Sequence, residues 1–159
     1  MAKLTCLLAV ALIAAGCGSS KAKPSEPARP GPGQVVYQGT EWAVVLEDGK
    51  ASAQRLVGDA WRPAKQGTVK IDVLGPKPGS KGNPATPQVA AALSAGGDLA
   101  ESALWVDGVE LLEKGGGLSP TRGTIYGAPA SPLAKGRHTA IAYARTATHA
   151  FAVAWSFSV

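Results

Sequence analysis

Four side chains near one another in the sequence, Trp42, Arg55, Trp61 and Arg62, combine aromatic faces with guanidinium groups. That combination suits a sugar ring or a protein partner rather than bond breaking. The alternative role for the two tryptophans is to anchor their own segment onto the rest of the protein. Residues suited to catalysis are present without the spacing catalysis needs. There is no G-x-S-x-G nucleophile turn, and Ser20-Lys21-Ala22-Lys23 matches S-x-x-K by letters only, with neither S-D-N nor K-T-G elsewhere. His138 and His149 bracket an extended run whose length is roughly 23 Å at about 3.3 Å per residue, too far apart to chelate one ion. His138 is expected to hydrogen-bond near the start of a strand and His149 to sit at a loop tip. Asp107 and Glu110 flank an Asp-Gly turn, where aspartate serves the backbone, and neither has an evident catalytic partner in the sequence. Lys114 precedes Gly115-Gly116-Gly117, the reverse of a phosphate loop, so a loop tip is expected there. No cofactor, metal site or enzymatic activity is expected.

Charge narrows the partners further. The chain has 159 residues and a formal charge of +5, but Lys3, Lys21, Lys23, Arg29 and Glu26 all precede Val35. From Val35 onward twelve basic residues face ten acidic ones, a difference of +2. That is an ordinary solvated surface, with no nucleic-acid motif beside it.

The first residues, MAKLTCLLAVALIAAGC, place Lys3 before an apolar run from Leu4 to Ala15 and end on small residues and a cysteine. About a dozen apolar residues make a secretory signal rather than a span, which takes roughly twenty. Ala14-Ala15-Gly16-Cys17 resembles the lipobox of bacterial lipoproteins, with Ala14 where leucine is usual. The resemblance implies cleavage after residue 16 and lipidation of Cys17, hence attachment to a membrane of the cell envelope. Gly18 rather than aspartate after the cysteine resembles the outer-membrane sorting pattern. With Cys6 in the signal and Cys17 acylated, the mature chain has no cysteine for a disulfide or a metal.

Residues 17–34 carry Pro24, Pro27, Pro30 and Pro32 among glycines and polar side chains, the composition of an extended, disordered tether. Over 35–66 the pattern predicts a small β-meander: a strand about 41–47, an Asp48-Gly49 hairpin turn, a strand about 50–57, Gly58-Asp59, and a strand through Trp61. From 67 to 159 short strand-length runs alternate with Gly, Pro, Ser and Asp clusters, which predicts an antiparallel sandwich. The alanine-rich stretch 88–95 has helix propensity but sits where the pattern requires a strand. In the last strand Phe151, Val153, Trp155, Phe157 and Val159 share a face that must be buried, opposite alanines and serines. Its partner, 137–145, has no plainly polar side.

Leu133-Ala134-Lys135-Gly136-Arg137-His138-Thr139 followed by a terminal Trp155-Ser156-Phe157-Ser158-Val159 resembles the C-terminal hairpin of bacterial immunoglobulin-like domains. Pro76-Lys77-Pro78-Gly79 is similar to the family's opening turn, and Leu104-Trp105-Val106-Asp107-Gly108 to its middle strand and turn. The resemblance covers about 68–159 and implies an all-β immunoglobulin-like sandwich with His138, Ala140, Ala142 and Ala144 facing its core. Thr146-Ala147-Thr148-His149 replaces the family's loop aspartate, so no calcium role carries over. The expected protein is an envelope lipoprotein displaying a non-catalytic binding or scaffolding domain for an envelope protein or glycan. A carbohydrate-binding module or a small hydrolase accessory protein is the alternative, and the former requires Trp42 or Trp61 to lie flat and exposed.

Overall fold

The computed structural model describes residues 28–111 and 122–159, and it is all-β, in three antiparallel sheets. The first sheet is a meander of β1 (Gln34–Gln38), β2 (Trp42–Glu47), β3 (Lys50–Val57) and β4 (Ala60–Pro63), in that spatial order. Asp48 and Gly49 join β2 to β3 with φ of 49° and 74°. Two successive positive φ values give the hairpin turn whose twist matches the strands, and aspartate followed by glycine tolerates them best. β1, which the pattern of residues did not mark as a strand, pairs with β2 across a bulge between Val35 and Tyr37.

The remaining strands are β5 (Lys70–Gly75), β6 (Val89–Ser94), β7 (Glu101–Val106), β8 (Val109–Glu110), β9 (Arg122–Gly127), β10 (Arg137–Arg145) and β11 (Ala150–Ser158). They form two sheets, ordered β5-β6-β9 and β11-β10-β7-β8. First, second and fifth strands against third, fourth, sixth and seventh is the immunoglobulin-like partition. The alanine-rich segment is strand β6, because alternate residues Val89, Ala91 and Leu93 fill the sandwich core and leave no room for helical period. Opposite them lie Leu104, Val106, Ala140, Ala142, Ala144, Trp155 and Phe157. Trp155, 5% exposed, donates its indole N–H to the Pro76 carbonyl at 2.9 Å, so its polar atom is satisfied inside the core.

The meander is a third layer. Trp42, Val44 and Ala53 pack on Ala103, Trp105, Ile141, Tyr143, Ala150 and Ala152, the outer face of the β11-β10-β7-β8 sheet. That sheet is therefore covered on both faces, which explains why 137–145 has no polar side. The Lys65 carbonyl accepts from Ala150 N at 3.0 Å and stitches the layers together.

The tether expected over 17–34 ends earlier than its composition suggests. Pro30 is fully buried, and Gly31 N donates to Gln54 Oε1 at 3.0 Å on the outer face of the meander. At Gly33, with φ +108°, a Cβ would come within 2.6 Å of the Leu46 carbonyl oxygen, so only glycine lets the backbone lie this close. By strand alternation Ala43 and Val45 face this side, and they are 0% and 1% exposed. Proline and glycine, which composition associates with disorder, here supply a flat extended cover. Residues 1–27, including the signal, Cys17 and Ser20–Lys23, lie outside the described residues, as do Lys114 and Gly115–Gly117.

Coverage of both faces predicts how β11 responds to substitution. Trp155→Ala should cost about 3–5 kcal/mol and Ser156→Ala about 0.5 kcal/mol or less, measured by urea unfolding. Ala152→Leu, directed at the meander, should cost about 1–3 kcal/mol by overpacking. A silent Ala152→Leu would mean that this face is open.

Candidate functional site

The meander residues divide between two environments. Trp42, Arg55 and Arg62 are directly opposite one another across β2, β3 and β4 and so share a face. Trp42 is 4% exposed, wedged between the layers, and cannot act as a flat platform for a sugar. Arg55 Cζ lies 5.0 Å from the centroid of its ring and Arg145 Cζ 5.6 Å, so one indole carries two guanidinium groups. Trp61 pairs with Leu56, one residue along from this row, and points to the other face. Its indole N–H donates to the Ala28 carbonyl and helps to hold the covering segment. The expected combination of Arg55 with Trp61 is thus separated by the sheet. Arg55 and Arg62 are brought together with Trp42 and with Arg145, a residue from the far end of the chain.

Arg145 is fixed by Glu101, whose Oε2 accepts from Arg145 Nε at 2.6 Å. The other carboxylate oxygen accepts from Tyr37 Oη at 2.7 Å. Burial weakens the charged form of Arg145, and the hydrogen bond and charge of Glu101 outweigh it, holding the guanidinium above its ordinary pKa. Tyr37 is pushed up by burial and by the same carboxylate. Tyr37, Trp105 and Tyr143 form a tilted aromatic triad with centroids 6.0–6.4 Å apart. The Tyr143 hydroxyl, among the described residues, is buried without a hydrogen-bond partner, and burial pushes its pKa far up. Glu101 gave no signal in the sequence, since its partners Tyr37 and Arg145 are dozens of positions away.

A second cluster closes the other end of β10. His138 Nδ1 is 2.7 Å from Asp107 Oδ2 and its Nε2 is 2.8 Å from the Ala134 carbonyl oxygen. Both neighbours are acceptors, an arrangement that favours a proton on each ring nitrogen and hence the charged imidazole. Asp107 Oδ1 also accepts from Thr139 N at 2.9 Å, and Asp107 holds φ of 51° at the turn between β7 and β8. Asp107, which had no evident partner in the sequence, therefore latches its turn to β10. Hydrogen bonding to Asp107 and Ala134 raises the His138 pKa against the opposing effect of burial. A cavity of ≈ 1030 Å³ opens beside this pair, lined by Val109, Leu111, Tyr126, Pro132 and Leu133 among others. His149 lies at the other end of the strand, against Gly67, with Nδ1 3.0 Å from Thr148 Oγ1. No group of metal-binding side chains occurs among the described residues.

No protein-family model matches the chain, and no curated protein matches it. Among solved structures it is similar to the titin Ig tandem domains A164-A165, at 7% identity and a TM-score of 0.39, covering 77% of this chain and 74% of that one. The immunoglobulin-like assignment rests on the strand partition described above.

The charge on His138 predicts a pH dependence. Its folded pKa lies above the unfolded value of about 6.5, so its contribution is fully present below that pH and is lost as pH rises through the folded pKa. The stability of the native protein relative to His138→Gln should therefore fall as pH rises above about 6.5, read from paired urea titrations. A difference that stays constant with pH would show that folding leaves the His138 pKa unchanged, and one that rises with pH would show that the imidazole is held neutral in the folded state.

Proposed function

We propose that this chain is a cell-envelope lipoprotein, anchored through acylated Cys17 and a short tether, that presents a non-catalytic immunoglobulin-like binding or scaffolding domain. The observation that carries the reading is where the polar groups stand. Glu101, Asp107, His138 and Arg145 take partners within the fold and fix the ends of β10. Arg55 and Arg62, without a carboxylate partner among the described residues, stand at the margin of the meander where a partner has access. A three-layer body with arginines lacking carboxylate partners at its rim suits capture or positioning of another envelope component, protein or glycan. The carbohydrate-module alternative loses support because Trp42 is buried and the Trp61 indole N–H is engaged by the covering segment.

The anchor is tested directly. Cys17→Ser should abolish incorporation of labelled fatty acid and move the protein from the membrane pellet to the soluble fraction. Two acyl chains hold a protein stably on a bilayer, and the tether has no apolar run to replace them. Unchanged labelling and retention would overturn the lipoprotein reading.

A further inference from the structure

Arg55 and Arg62 are register partners on β3 and β4, directly across from each other. Like charges in that position are unfavourable, and the common remedy is a carboxylate on a neighbouring strand. Among the described residues the ion pairs are Arg145 with Glu101 and His138 with Asp107, and neither includes Arg55 or Arg62. The next residue in the row is Trp42, whose ring takes the Arg55 guanidinium at 5.0 Å and the Arg145 guanidinium at 5.6 Å. Two guanidinium groups thus share one buried indole, with the exposed Arg62 next in the row, and Glu101, already shared with Tyr37, offsets Arg145 alone.

From this geometry we infer that Arg55 and Arg62 form a binding site for a phosphate group, carried by an envelope lipid headgroup or by a soluble phosphate. A guanidinium offers a planar fork of donors that matches phosphate oxygens, and two forks match a dianion better than one carboxylate does. Stacking on Trp42 holds the half-buried Arg55 fork in place, which reduces the side-chain entropy lost on binding. Arg62, exposed on the edge strand β4, supplies the second fork. Bound phosphate would also relieve the repulsion between the two cations. Trp61, on the opposite face, takes no part. The inference rests on the proposed reading of the meander margin as the partner surface, and gives that surface a ligand chemistry.

The test uses the full chain carrying Cys17→Ser, so that the lipid anchor contributes nothing and the outcome is independent of whether the native protein is acylated. Thermal unfolding and calorimetry are followed with inorganic phosphate, and co-sedimentation with phosphatidylcholine vesicles with and without phosphatidic acid. Phosphate should raise the melting temperature of this chain, and Arg55→Gln with Arg62→Gln should weaken binding by about tenfold or more. Arg62→Gln alone, which removes no contact within the fold, should abolish the phosphate-induced rise and slightly raise the melting temperature without phosphate. Lys50→Gln with Lys70→Gln, the same change in net charge on exposed residues elsewhere, should leave binding intact. Sedimentation with phosphatidic acid vesicles, competed by phosphate, assigns the ligand to lipid. Binding of phosphate without vesicle binding assigns it to soluble phosphate groups. Absence of both, or equal loss in the lysine variant, overturns the site. Capture of some other envelope component through the same margin would then leave the broader binding role standing.

Discussion

Everything in this molecule is organised around β10, a strand buried on both faces and hydrogen-bonded on both sides, to β7 and β11. Such a strand leaves no backbone group for water and no face for polar residues, so its side chains must fit two cores at once. They do so by exchanging volume with β11. Toward the sandwich, Ala140, Ala142 and Ala144 stand opposite Trp155, Val153 and Phe151. Toward the meander the sizes reverse, with Ile141 and Tyr143 opposite Ala154 and Ala152. Each face is thereby filled to an even depth, and each accepts a flat neighbouring sheet.

Polar chemistry is confined to the ends of that strand. At its start the His138 imidazole ties the β7–β8 turn and the preceding loop together. At its end Arg145 lies against Trp42 and is held by Glu101, which also receives the Tyr37 hydroxyl from β1. The second cluster reaches from sandwich to meander, so it links the layers as well as ending a strand. A buried charge without a partner is costly, and these groups are placed where each finds one at the edge of a core. On the meander, by contrast, Arg55 and Arg62 have no carboxylate partner among the described residues.

Much of this was legible in local sequence. Asp48-Gly49 and Asp107-Gly108 marked turns that need positive φ, and the structure has it at all four residues. The alternation of 150–159 marked a strand with one large and one small face, and the inward facing of Ala140, Ala142 and Ala144 agrees with the family resemblance. Less legible was anything set by packing between distant segments. The cover 28–33 carries few apolar residues of its own and lies on Gln54, Leu46 and Val45, while β1 is placed by Val36 and Tyr37 packing on the second core and by the Tyr37 bond to Glu101. Arg55 and Trp61 look adjacent on the chain, yet strand parity sends them to opposite faces. The Glu101 cluster depends on a register that places β10 beside β7, which no single segment encodes.

Because meander and sandwich share the β11-β10-β7-β8 sheet, the two should unfold as one body. Native-state hydrogen exchange resolved by residue tests it most directly, by comparing Val44 and Val45 in β2 with Ile141 to Tyr143 in β10. Both sets of amides should exchange only through global unfolding, with a common free energy in the range of about 5–15 kcal/mol. Exchange of the β2 amides at a free energy several kcal/mol lower, with β10 still protected, would show the meander detaching on its own and would contradict it.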